Sequence, residues 1–158
     1  MSSLKDYPAG RGAVQARYIK DVFVEFGVTK TIRRRYTLAQ VNAGQVLLSA
    51  LPGVRWGLIG ARFIATGGGA ATATSVNLQG TVAGSTVQLW VVTVAALTRS
   101  TAVTMGHTPA AGSETILADG ASFNAMDVNT SINLAVVGSA LATSTGFDLF
   151  ISFMAYPG

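Results

Sequence analysis

Apolar and polar residues alternate at period two along much of this chain, and this pattern predicts strands rather than helices. Near the beginning, Val22, Val24 and Phe26 occupy every second position, as expected of a strand with one buried face. The same alternation runs through 146–156, where Phe147 begins a series of large apolar residues. Both segments are therefore predicted to bury one face in a core.

Other segments rich in β-branched and aromatic residues extend the pattern. The further predicted strands are 45–49, 54–66, 75–80, 86–97 and 131–137. Gly57 and Gly60 interrupt the second of these, and glycine inside a strand marks a bulge or a close backbone approach. Residues 37–41 could form one turn of helix, and 98–126 is predicted to form long loops with a short strand at 115–117.

The segment Thr31–Tyr36 is β-prone but places arginine on both faces of a strand. Arg33, Arg34 and Arg35 are consecutive, so alternation cannot direct all three to solvent. Edge strands are often charged because charge discourages unwanted pairing. This segment is predicted to be an edge strand or a connection.

No helical stripe of useful length appears, and turns rich in Gly, Pro, Asn and Ser separate seven or eight predicted strands. Such a series indicates an all-β fold, an antiparallel β-sandwich of jelly-roll-like form. Residues 1–18 contain too few apolar side chains to offset their ordering entropy. We therefore divide the chain into an extended basic N-terminal arm (1–18) and a β-sandwich domain (19–158).

Charge divides the chain in the same way. Eight of its 11 Lys and Arg residues precede Thr37, and they outnumber the acidic residues there, which are Asp6, Asp21 and Glu25. Charged residues make up 11% of the chain, against roughly 25% in a usual soluble domain. A surface with so little charge indicates extensive contact with other protein, or a resistant β-domain covered with Ser and Thr.

Several classes of protein are disfavoured by what the sequence lacks. There is no cysteine, so disulfides and thiolate metal sites are excluded. The longest apolar stretch, 87–97, is shorter than the roughly 20 residues that cross a bilayer, and the N-terminus lacks the apolar core of a signal peptide. We expect a protein that is made in a cytoplasm and is used there or released by lysis, with no membrane partner.

The residues offer no catalytic set. His107, the sole histidine, has no nearby carboxylate to orient it as a general base and is expected to be a solvated loop residue. The seven carboxylates form no cluster that could hold a metal ion. Gly67–Gly69 is followed neither by Gly-Lys-Ser/Thr nor by a helix, so it is no phosphate loop. We predict a protein that is not an enzyme and has no cofactor or metal.

The basic residues are the candidates for binding a partner, either phosphates of nucleic acid or carboxylates of an acidic protein surface. The arm holds only Lys5, Arg11 and Arg17, whereas arms that package RNA carry denser cations, so protein contact is favoured over nucleic acid. The predicted contact residues are Arg11, Arg17, Lys20, Lys30, Arg33, Arg34 and Arg35.

Two phrases of the sequence resemble a known class of proteins. Residues 36–48 (YTLAQVNAGQVLL) followed by Leu51-Pro52-Gly53, and residues 136–149 (VVGSALATSTGFDL), resemble the small β-sandwich decoration or cement proteins of tailed bacteriophages. The resemblance implies a structural virion protein on the capsid surface. It would bind between major capsid subunits, associate with itself as a dimer or trimer, and reinforce the shell.

Two alternatives remain open. The chain could be a principal viral coat subunit whose basic arm binds the genome. It could also be a receptor- or glycan-binding knob of a tail or fibre, which would display a cluster of exposed aromatic residues. Trp56 and Trp90 lie in β-prone runs and are expected in the core instead.

Overall fold

The computed structural model describes residues 16–19, 22–105 and 126–158, the backbone alone for 16–19 and 22–23. Strands predominate in these parts of the chain. The strands are β1 (Ala16–Ile19), β2 (Val22–Glu25), β3 (Lys30–Thr37), β4 (Gln45–Leu48), β5 (Val54–Thr66), β6 (Ala71–Val82), β7 (Ser85–Thr93), β8 (Ala102–Thr104), β9 (Ile132–Ala142) and β10 (Gly146–Pro157). One short α-helix, α1 (Leu38–Asn42), and a 3-10 turn at Val94–Ala96 accompany them.

Eight of these strands form two antiparallel sheets packed against each other. The first sheet has the order β3-β10-β5-β8 and the second the order β4-β9-β6-β7. The pairs β3–β10, β4–β9, β5–β8 and β6–β7 are nested about the β6–β7 turn, as in one long hairpin rolled into two sheets. This is the jelly-roll arrangement, so the prediction of an all-β, jelly-roll-like sandwich is confirmed.

Large apolar side chains from the inner faces of both sheets fill the core. Phe63 of β5 stacks on Phe147 of β10 with ring centroids 5.1 Å apart, and Trp56 meets Phe153 edge to face at 5.5 Å. Trp90 of the second sheet is 1% exposed. Both tryptophans therefore lie in the core, as predicted.

The predicted turn of helix, α1, forms where the chain crosses from the first sheet to the second. A capping box starts it: Thr37 Oγ1 accepts the Gln40 N–H at 3.2 Å, and Gln40 Oε1 accepts the Thr37 N–H at 2.8 Å. The Asn42 side chain donates to the Leu141 carbonyl and accepts the Leu141 N–H. These two bonds fix the helix to β9.

The two glycines inside β5 serve the purposes expected of them. Ser152 pairs with Gly60 and Phe153 pairs with Leu58, which leaves Ile59 as the extra residue of a bulge. Gly57 lies under the Tyr156 ring, whose Cε2 would be 2.7 Å from an added Cβ. One glycine thus adjoins a bulge and the other permits a close approach.

The boundary predicted between arm and domain, after residue 18, falls inside a strand. β1 and β2 pair with each other as a two-stranded sheet. Phe26 bridges to Ala155 of β10, and the Gly27 N–H donates to the Ala155 carbonyl at 3.0 Å. The hairpin is therefore attached to the sandwich at this end of the first sheet.

Other predicted bounds differ from the structure. The strand predicted at 86–97 ends at Thr93 because the 3-10 turn follows. β8 lies within the segment predicted to be loops, and β6 and β9 extend beyond the predicted 75–80 and 131–137. The predicted strand at 115–117 and His107 lie outside the described residues.

Candidate functional site

Charge is confined to one of the two sheets. The strands of the first sheet carry six cationic residues and one carboxylate, which are Lys30, Arg33, Arg34, Arg35, Arg55, Arg62 and Asp148. The strands of the second sheet carry no charged residue. A surface able to select a charged partner therefore belongs to the first sheet.

The strand register places several of these residues on the outer face. Phe150 of β10 is paired with Arg33 on one side and with Arg62 on the other, and Arg35 is paired with Asp148. Residues directly opposite in a sheet share a face, and the alternate residues of β10 point into the core. We call Arg33, Arg35, Arg62, Asp148 and Phe150 together the basic face.

Asp148 holds two arginines of this face in place. Arg35 Nε donates to Asp148 Oδ1 at 2.8 Å and Arg35 Nη2 to Oδ2 at 3.3 Å, while Arg33 Nη2 donates to Oδ2 at 2.7 Å. The Asp148 side chain is 9% exposed, whereas those of Arg33 and Arg35 are 53% and 72% exposed. The carboxylate is thus buried beneath guanidinium groups that still reach solvent.

The hydrogen bond from Arg35 lowers the pKa of Asp148 to about 2, with the Arg33 hydrogen bond and the two positive charges acting in the same direction against desolvation. In turn, the hydrogen bond to Asp148 raises the pKa of Arg35. The carboxylate therefore stays ionised in any ordinary medium. One negative charge beneath two positive charges leaves a net charge of +1 at the outer surface.

The ring of Phe150, beside Asp148 and its two arginines, makes a further contact with Arg33. The Arg33 guanidinium carbon lies 5.2 Å from the centroid of Phe150, within cation–π range. Arg62 approaches the same residue from the opposite strand and is exposed. An aromatic residue flanked by arginines is a composition enriched at protein interfaces.

Lys30 and Arg34 alternate along β3 with Arg33 and Arg35, so they point to the other side of the strand from the basic face. Lys30 forms an ion pair with Glu25, Nζ to Oε2 at 3.0 Å. Arg34 is exposed and makes no ion pair with a described carboxylate. Burial raises the pKa of Tyr36, and the Arg34 charge opposes that rise. Among the described residues, Arg34 therefore presents its charge to solvent.

The structure brings together part of the predicted contact set. Arg33 and Arg35 meet at Asp148, Lys30 pairs with Glu25, and Arg34 stands apart. Arg11 and Lys20 lie outside the described residues, and Arg17 lies in β1, where the backbone alone is described.

Sequence reasoning missed Asp148, Arg62 and Phe150 as members of the site. The arginines bound to Asp148 are 113 and 115 positions away in the chain, so no local spacing relates them. The available signal was a carboxylate inside an otherwise apolar β segment, because such a group requires a partner.

Two clefts among the described residues bear on this site. One, of about 380 Å³, is open and is lined by Arg35, Tyr36, Thr37, Thr66, Thr145 and Gly146. The other, of about 170 Å³, is apolar and lies near Trp56, with Glu25 and Lys30 among its lining residues. The first has neither a carboxylate nor a histidine in its lining, and in the second Lys30 is ion-paired with Glu25.

Within the described ranges, no group of three or more His, Cys, Asp and Glu side chains is placed to hold a metal ion. In the same ranges, none of the helices has the length and apolar character needed to cross a membrane.

Comparisons of this chain with protein-family models, with curated proteins and with solved structures find no match.

Proposed function

We propose that this protein is a structural virion protein that binds the outside of a phage capsid and stabilises it by bridging major capsid subunits. In this proposal it acts without catalysis or cofactor, associates with itself as a dimer or trimer, and attaches through the basic face and the basic arm. Its place of action is the capsid surface of the virion.

The observation that carries the proposal is the unequal distribution of charge between the sheets. Arg33, Arg35 and Arg62 stand on one outer face beside Phe150, while the strands of the second sheet are uncharged. A cationic face complements an acidic protein surface, where arginine can form two-pronged hydrogen bonds with carboxylates. Many copies with modest contacts can hold a shell firmly by avidity.

Two further points support the virion role. Jelly-roll sandwiches are found in viral capsid domains, although they also occur in lectins and cupins, so the fold alone does not decide the function. The phrases at 36–53 and 136–149 resemble phage decoration proteins. Together with the basic face, they favour a shell protein over a sugar-binding one.

The first test is the copy number of this chain in purified particles, measured by quantitative mass spectrometry against the most abundant shell protein. We expect a fixed ratio to a different, larger shell protein. A handful of copies per particle would instead indicate a tail component. Absence from all particles would refute the virion role.

Attachment can be divided between the arm and the basic face. Removing residues 1–18 and replacing Arg62 with Ser test the two parts separately, with binding to stripped particles measured by co-sedimentation at low and high salt. We expect each change to weaken binding. For Arg62→Ser we also expect a smaller loss of affinity with added salt, because one screened contact has been removed. Unchanged binding by both variants would overturn the assignment of the contact surface.

A principal coat subunit is the second candidate, favoured by the jelly-roll order and the basic beginning of the chain. In that role the arm would bind the genome, with an affinity that falls steeply as salt increases. Titration of the full chain with single-stranded RNA and DNA distinguishes the two. Strong, salt-sensitive binding that is lost with residues 1–18, in a particle with no other shell protein, would favour the coat subunit.

A further inference from the structure

The four edges of the sandwich differ in what protects them from pairing with another strand. β4 has four residues and β8 has three, so neither offers a long ladder. β7 has nine residues, but its register with β6 shifts at Leu89, and such a bulge disturbs an edge. Geometry therefore limits pairing at three edges.

β3 is the exception among these edges. It has eight residues, without glycine or proline, and it pairs with β10 from Lys30 to Thr37 without a shift in register. No described strand pairs with its other side, and Thr31, Arg33, Arg34, Arg35 and Thr37 are exposed along it. This is a long, regular edge with backbone groups directed outward.

The charge of its arginines is what protects β3 from pairing with another strand. This protection depends on the charge of the approaching strand. Arg33 and Arg35 flank the edge on the outer face, while Arg34 flanks it from the opposite alternation. A second copy of β3 would place its own three arginines against these, and like charges directly opposite are destabilising. An acidic strand would meet the same three cations as complements. The feature that rejects a copy thus attracts a partner of opposite charge.

We propose that β3 accepts an extended acidic segment of the shell protein as an added strand of the first sheet. Backbone hydrogen bonds would supply affinity, as in other cases of strand addition, and the arginines would supply selection by charge. Asp148 holds Arg33 and Arg35 in position before the partner arrives. The proposal rests on the proposed function for the identity of the partner, but the binding mode can be measured without particles.

The experiment uses the full chain and a fluorescent ten-residue peptide in which Glu alternates with Val and Thr. A control peptide has the same sequence but carries N-methyl groups on four consecutive central residues, which remove backbone donors and leave the charge unchanged. Fluorescence anisotropy gives the two dissociation constants. We expect the methylated peptide to bind at least tenfold more weakly. Equal affinity would overturn strand addition and leave only a general attraction between charges.

A pair of protein variants tests the position of the site. Arg34→Glu reverses a charge on β3, and Arg34 makes no ion pair with a described carboxylate. Arg99→Glu is the matched control, because it changes the net charge by the same amount at an exposed residue. Arg99 bridges to Ala65 of β5, near β8, which is the edge of the first sheet opposite to β3. We expect the first to weaken peptide binding at least tenfold and the second less than threefold. Similar losses would place the peptide elsewhere.

Hydrogen exchange of the full chain with saturating peptide provides the structural readout. We expect slower exchange for β3 amides that point away from β10, with no change at the β7 edge. Protection at β7 or at the hairpin of β1 and β2 would overturn the proposal. A failure of these tests would leave the copy-number measurement intact, so loss of the binding mode and loss of the virion role are distinguishable.

Discussion

The two sheets share one core but have opposite electrostatic character. The first carries six cations and one carboxylate in its strands, and the second carries none. Each sheet contributes large buried side chains, such as Phe147 and Trp90, so the difference is not required for packing. It shows that in this jelly-roll one outer face can carry nearly all of the strand charge while both sheets supply the apolar core.

The largest expected effect comes from placing a carboxylate in the neutral sheet. Asn77 is 4% exposed, and its Oδ1 has no hydrogen-bond partner. Asn77→Asp would therefore bury an unpaired charge, raising the pKa of the new carboxyl above its unfolded value. We expect a loss of about 3 kcal/mol in the free energy of unfolding at pH 7, measured by urea denaturation.

The pH dependence of this variant has a definite sign. A raised folded pKa means that stability is lost as pH increases, so Asn77→Asp should approach wild type near pH 4. Asn133→Asp, at a partly exposed position of the same sheet, is the matched control and should cost less than about 1 kcal/mol. Equal losses for both variants would contradict the role of burial.

The second-largest effect is expected from a variant that leaves an existing carboxylate of the first sheet unpaired. Arg33→Thr combined with Arg35→Thr leaves Asp148 buried without its donors. We expect a loss in the free energy of unfolding that is smaller than for Asn77→Asp, because water can reach a carboxylate near the surface. Adding Asp148→Asn should recover most of the loss in thermal or urea unfolding. No recovery would show that the arginines act by packing and not by pairing.

The third test compares a glycine from each sheet. A Cβ on Gly80 of the second sheet would meet Met126 Sδ and, at 3.2 Å, Leu89 Cδ1 inside the core. Gly80→Ala should cost about 1–2 kcal/mol by overpacking. In Gly57→Ala of the first sheet, the half-buried Tyr156 ring can swing outward, so the cost should stay below about 1 kcal/mol. The reverse order in unfolding experiments would show that Met126 yields more readily than Tyr156.

The smallest expected effect is the loss, in acid, of the stability that the ion pairs of Asp148 with Arg33 and Arg35 contribute to the wild type. The pKa of Asp148 is lowered to about 2 from 3.8, so the stabilisation is complete above pH 4 and is lost as pH falls toward 2. Because Arg33 and Arg35 are more than half exposed, we expect on the order of 1 kcal/mol. The wild type should lose this between pH 4 and 2, and Asp148→Asn should not. Identical pH profiles would remove the pair as a stabilising contact.

The strands were predictable where the side-chain pattern is strong. β5 matches the predicted 54–66 and β10 extends the predicted 146–156 by one residue, because both combine apolar alternation with clear turn residues at their ends. β8 was missed because its three residues, Ala102–Thr104, are too few to show a period. The Ala/Thr-rich beginning of β6 was missed because alternating Ala and Thr differ little in hydrophobicity, so they do not distinguish a buried face from an exposed one.

The candidate site was predictable only in part. Three consecutive arginines indicated an edge strand, and β3 is an edge strand. Arg33 and Arg35 bind Asp148 of β10, whereas Arg34 does not. This difference depends on the register between β3 and β10, two strands that only the whole fold brings together. Alternation within β3 cannot show which residue of β10 each arginine meets.

The central position of β10 has a consequence for synthesis. β10 lies between β3 and β5, so the first sheet cannot be completed on the ribosome before residues 146–157 have emerged. A chain released early would have β3 without a neighbour and its arginines without Asp148. The first sheet, and with it the basic face, would therefore form only in chains translated through β10.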